Sequence, residues 1–120
     1  MDDLPQGPPW YDAMLERAQY DYRDLSSAHA DAPHGEYEDF LSTWRTGLGW
    51  AWDQLEKTRP DPGEDFAAYV WRLKAVIERE AKANRYSANG IEQGWWQSGV
   101  ERLWRKAVCS PAARKAAGFS

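Results

Sequence analysis

Between residues 37 and 55, apolar side chains fall at Tyr37, Leu41, Trp44, Leu48, Ala51 and Leu55, at steps of four and three. With 3.6 residues per turn, such steps keep every one of these side chains on a single face of an α-helix; a strand would need alternation at every second residue. The same rhythm recurs at Tyr11, Leu15, Ala18, Tyr22 and Leu25, at Phe66, Val70, Leu73 and Ile77, and at Trp96, Val100, Leu103 and Ala107. The alternation typical of strands is absent. The spacing therefore predicts an all-α fold: a compact bundle of four main helices plus a short C-terminal helix.

Punctuation between the stripes sets the expected bounds. The helices are read at 9–28, 36–58, 62–86 and 90–108. "HADAPHG" breaks the first from the second, and "SANGIE" separates the third from the fourth. Glu36, Glu38 and Asp39 favour a helix start, where negative charge suits the helix dipole. That reading is preferred to a metal or catalytic cluster. In "TRPDPGED", Asp61 as N-cap, Pro62 at the first helical position and Glu64 form a capping box. Asn89 and Glu92 can cap the fourth helix. Ser110, Pro111 and Gly118 provide cap, first residue and stop for the fifth. Pro5, Pro8 and Pro9 make residues 1–9 an extended arm, and 10–120 form one domain. Connections this short favour antiparallel neighbours.

Composition decides what fills such a bundle. Ile and Val are scarce, whereas the chain holds 8 Trp, 6 Tyr and 3 Phe. Each ring removes about 150–250 Å² from water when buried, so a few replace many aliphatics. The expected core is Trp44, Leu48, Leu55, Phe66, Leu73, Ile77, Trp96, Val100 and Leu103. Four glycines, Gly47, Gly49, Gly94 and Gly99, interrupt helix interiors at a cost of about 0.8–1 kcal/mol each. The expectation is that each makes room for an aromatic ring of a neighbouring helix. Gly49-Trp50 with Leu55-Glu56-Lys57 also lines up with Gly94-Trp95 and Val100-Glu101-Arg102 at one offset. Trp50, Trp71 and Trp95 lie off their stripes. They belong either to a second buried face or to a binding surface, and the sequence leaves that open.

Charge is unevenly spread. Residues 1–40 carry ten acids and two arginines, and residues 71–120 carry ten bases and four acids, within a net charge of −4. The two ends could attract each other within the fold, or form acidic and basic poles that steer charged partners. On the fourth helix, Trp95, Gly99, Arg102 and Lys106 fall on one helical line. A ring flanked by cations suits an acidic protein surface, or a base and its phosphates. Trp95, Arg102 and Lys106 are therefore the candidate partner-binding residues.

Signals for catalysis are few. The chain has no P-loop, no dinucleotide fingerprint, no Glu-x-x-His iron motif and no Cys/His set for zinc, so no metal and no cofactor are implied. Cys109 is the single cysteine and cannot form an internal disulfide. With an acidic, proline-rich start and no apolar run of about 18 residues, the expectation is a soluble, cytoplasmic protein without membrane contact.

The segment "RDLSSAH" at 23–29 resembles the Arg-x4–6-His motif of HEPN ribonucleases, which are all-α domains of about this size. The resemblance implies Arg23 and His29 as catalytic residues at a dimer interface, cutting RNA without metal. The favoured expectation is different: a non-enzymatic module with a protein partner. Small, acidic, tryptophan-rich chains are common among phage and mobile-element accessory factors that inhibit a host protein. The alternatives are the HEPN-like ribonuclease and a nucleic-acid binder that uses the basic C-terminal half. The partner and the oligomeric state are not legible in the sequence.

Overall fold

The computed structural model describes residues 7–28, 36–83 and 90–119, the side chains of 26–28 and 36–39 excepted. Five helices run in order: α1 Pro9–Ala28, α2 Glu36–Lys57, α3 Phe66–Ala83, α4 Gly90–Val108 and α5 Pro111–Ala116. Among the described residues there is no strand. The all-α bundle follows from the stripes. Of the expected arm, residues 1–6 lie outside the described part, and Gly7 and Pro8 lead into α1.

The centre of the bundle is the α2/α4 pair, whose backbones touch. A Cβ added to Gly47 would overlap the carbonyl oxygen of Trp96, and one added to Gly99 would overlap that of Trp44. The helices are antiparallel, because a later residue of α2 meets an earlier residue of α4. Trp44-x-x-Gly47-Leu48 and Trp96-x-x-Gly99-Val100 play the same part on opposite sides of the contact. This corrects two expectations. Gly47 and Gly99 admit a backbone, not a ring; only Gly49 faces one, with Tyr22 at 3.4 Å from an added Cβ. The structural repeat also pairs Gly47 with Gly99, a different register from the Gly49/Gly94 alignment.

α1 lies across this pair and packs on α2, α4 and α5. Its buried residues are Trp10, Tyr11, Met14, Ala18 and Asp21, whereas Leu15 and Leu25 are half-buried and Tyr22 is 37% exposed. The expected stripe is thus rotated by one position, with Met14 and Asp21 in place of Leu15 and Tyr22 on the face that packs on α2, α4 and α5. On α3 the buried residues are Tyr69, Leu73, Ile77 and Ala81. Phe66, like Trp44, is half-buried against the core instead of sealed in it. Trp104 joins Trp96, Val100, Leu103 and Ala107 in the buried set of α4.

α3 begins four residues later than the capping box implied. Pro62 and Gly63 form a turn, with Gly63 at φ +79° and Glu64 N–H bonded to Asp61 O at 3.0 Å. Proline followed by glycine at positive φ is the signature of a type II turn. Glu64 still returns to the Asp61 N–H, at 2.9 Å, but the helix cap is Asp65, whose Oδ1 accepts from Ala68 N–H at 2.8 Å.

The α2–α3 connection is pinned by polar contacts. Arg72 Nη2 and Nε donate to the Glu64 carboxylate at 2.7 and 2.9 Å, and Nη2 also donates to Arg59 O at 2.7 Å. Two buried tyrosines finish the C-terminal end of α2. Tyr11 donates to Leu55 O at 2.6 Å and Tyr69 to Thr58 O at 2.5 Å. They satisfy carbonyls that a helix end or the turn after it leaves without partners.

α5 matches its sequence signals. Ser110 Oγ accepts from Ala113 N–H at 3.3 Å, with Pro111 at the first position. Gly118, at φ +95°, closes the helix. Phe119 N–H reaches Arg114 O and Gly118 N–H reaches Lys115 O, the pair of bonds of a Schellman motif.

Candidate partner-binding surface

The structure sends the three residues of the helix-4 line to different destinations. Trp95 is half-buried, edge-on to Phe40 of α2 at 5.6 Å between ring centres. Arg102 reaches across to α1, where its Nη1 lies 3.3 Å from Asp21 Oδ2, a carboxylate whose side chain is only 6% exposed. Arg17 holds the same oxygen at 2.9 Å. Arg102 thus neutralises a buried acid, which an isolated helical wheel cannot reveal. Lys106 is exposed. Gly99, between them on the line, is buried against α2.

The other two off-stripe tryptophans separate cleanly. Trp50 is half-buried with its ring 4.9 Å from Trp96. Trp71 is 73% exposed. On α3 it is flanked by exposed Ala67, Ala68 and Ala75. Their small side chains do little to cover the indole. Lys74 Nζ approaches the ring to 5.9 Å, and Lys74 itself pairs with Glu78 at 3.3 Å. Sequence periodicity identified Trp71 as off-stripe. It could not separate Trp71 from Trp50, because that difference depends on whether another helix covers the second face.

Arg23 is exposed on α1. His29 lies outside the described residues, so the geometry of the HEPN-like pair is not part of the picture. Among the described residues no group of three or more His, Cys, Asp or Glu is placed to hold a metal ion, and no helix is long and apolar enough to cross a membrane.

The perturbed titrating groups are structural. Burial pushes the Tyr69 and Tyr11 hydroxyls above the ordinary tyrosine range, as expected for phenols whose charged form would lose water. The hydrogen bond from Arg72 holds the Glu64 carboxyl below its usual range. All three groups lie around the α2–α3 connection and serve packing there.

A second surface feature lies at the C-terminal end. Cys109, Pro111, Arg114, Lys115, Gly118 and Phe119 line an open groove of about 590 Å³. No protein family matches this chain, and neither does any curated protein or solved structure.

Proposed function

We propose that the chain is a non-enzymatic protein-binding module whose contact surface centres on Trp71. The observation that carries this reading is the 73% exposure of Trp71 amid exposed alanines on α3. Exposing an indole to water forgoes the stabilisation that burial gives elsewhere in this aromatic core. Tryptophan is also among the side chains most enriched at interface hot spots. Trp95 and Arg102 have partners within the fold, which makes Trp71 the stronger anchor; Lys106 is exposed on α4. The small, acidic, tryptophan-rich makeup fits an accessory factor of a phage or mobile element that acts by covering a host protein's surface.

The test compares wild-type protein with Trp71→Ala as baits in the source cell, followed by affinity measurement on the retained protein. The expected result is a partner bound by wild type and weakened about 30-fold or more by the substitution, the loss typical of a hot spot. Circular dichroism and thermal midpoint should be unchanged. Equal retention by Trp71→Ala would overturn the reading. So would metal-independent RNA cleavage that is lost in His29→Ala.

A further inference from the structure

We infer that the groove between the α4–α5 turn and the end of α5 binds an acidic peptide segment bearing apolar side chains, supplied by a partner protein. The inference goes beyond the Trp71 surface and does not depend on it.

Charge is the first argument. From Arg102 to the C-terminus the chain has five cations and no acid. Two are neutralised internally: Arg102 by Asp21 and Arg105 by Glu101. Arg114 and Lys115, which line the groove, form no ion pair among the described residues, and no lining residue is acidic. Two cations left without acids beside an apolar wall are a complement for carboxylates, and the arginine fork can take one bidentately.

Shape is the second. Phe119 is 44% exposed and is not loose. Its ring rests 5.6 Å from that of Phe66, and the Schellman bonds of Gly118 and Phe119 fix the backbone beneath it. Pro111, also in the lining, fixes the backbone at the start of α5. The groove is therefore preorganised, which lowers the ordering cost of binding. Its volume of about 590 Å³ lies within the roughly 300–1,000 Å³ usual for ligand sites. A leucine or phenylalanine can lie against Phe119 while flanking carboxylates reach Arg114 and Lys115.

A protein segment fits better than a nucleic acid. A nucleic-acid strand carries a charge at every phosphate, and the two cations of the groove can neutralise only a short stretch of it. The lining is chiefly apolar, with no succession of rings for stacked bases.

Cys109 gives a local readout, because it is the single cysteine, is exposed and lines the groove. The experiment measures its alkylation by a neutral maleimide while ligands are titrated. The probes are a ten-residue peptide alternating Glu/Asp with Leu/Phe, the same peptide with Gln/Asn for the acids, the acidic peptide with Ala for Leu/Phe, and a ten-nucleotide oligo(dT). The acidic apolar peptide is expected to slow alkylation saturably. Its affinity should fall about tenfold or more in Arg114→Gln/Lys115→Gln and in Phe119→Ala, a loss of charge-assisted or apolar contacts. Trp71→Ala should leave protection intact. Both substitution sites are exposed, and an unchanged thermal midpoint establishes that the variants are folded. No protection up to about 1 mM peptide, the weak limit of specific affinity, would overturn the inference. Equal protection by the neutral or alanine peptides, or stronger protection by oligo(dT), would do the same.

Discussion

Gly47 and Gly99 sit on opposite helices, each against the carbonyl oxygen of the tryptophan three residues before the other. Backbone lies where either Cβ would go, so accommodation requires the helices to separate. Gly47→Ala and Gly99→Ala should each destabilise by about 1–3 kcal/mol or more, the range for overpacking. This is despite alanine's better helix propensity. Urea denaturation of the two variants measures it, and a neutral or stabilising result would remove the close approach.

Gly94 provides the contrast. It lies in the interior of α4, and no described atom lies within 4 Å of an added Cβ. Gly94→Ala should therefore stabilise by about 0.4–1 kcal/mol through lower unfolded-chain entropy and better helix propensity. The same denaturation assay reads it, and a loss of stability would show an uncredited contact at this position.

Tyr69→Phe removes the donor to Thr58 O at a buried site. The expected cost is about 1–3 kcal/mol, the penalty for leaving a buried acceptor unmatched. The hydroxyl also predicts alkaline behaviour. Its folded pKa lies above the unfolded value, so the unfolded chain ionises first. Stability is therefore retained below about pH 10 and falls as pH rises beyond it. A pH series of thermal midpoints should show Tyr69→Phe losing less between neutral and high pH than wild type.

Glu64 gives the opposite sign. Its folded pKa lies below the unfolded value because of the Arg72 hydrogen bond. Its contribution is present above the unfolded pKa of about 4.3 and is lost as pH falls through the folded value. Glu64→Gln should flatten that part of the acid profile. An unchanged profile would mean that Arg72 gives Glu64 no differential stabilisation.

Helix number and most bounds were legible because the buried stripes recur every three or four residues. The start of α3 was not, since Asp-Pro-Gly-Glu satisfies two grammars at once. A capping box and a type II turn share the Asp61–Glu64 spacing, and the positive φ of Gly63 decides for the turn. Similarly, the face of α1 could be placed only to within one position. Asp21 is buried with two arginines on its carboxylate; Arg17, four residues before it, is legible in the local spacing, but Arg102 lies eighty-one residues away in sequence, and no local pattern carries that second contact. The glycines were legible as anomalies but not as a pair, for the same reason. Of the candidate surface, Trp71 could be flagged but not chosen.

The glycine contact also sets a schedule. α2 is complete at Lys57 and α4 only at Val108, so the helix that fills the notch at Gly47 is made last among the four long ones. At about 5–20 residues per second of synthesis, α2 waits roughly 3–10 s for its counterpart. During that interval Leu48, Ala51 and Leu55 have no α4 to cover them. α1 and α3 also pack on α2 and are made before α4, so the part of α2 left open longest is the notch at Gly47 that α4 fills.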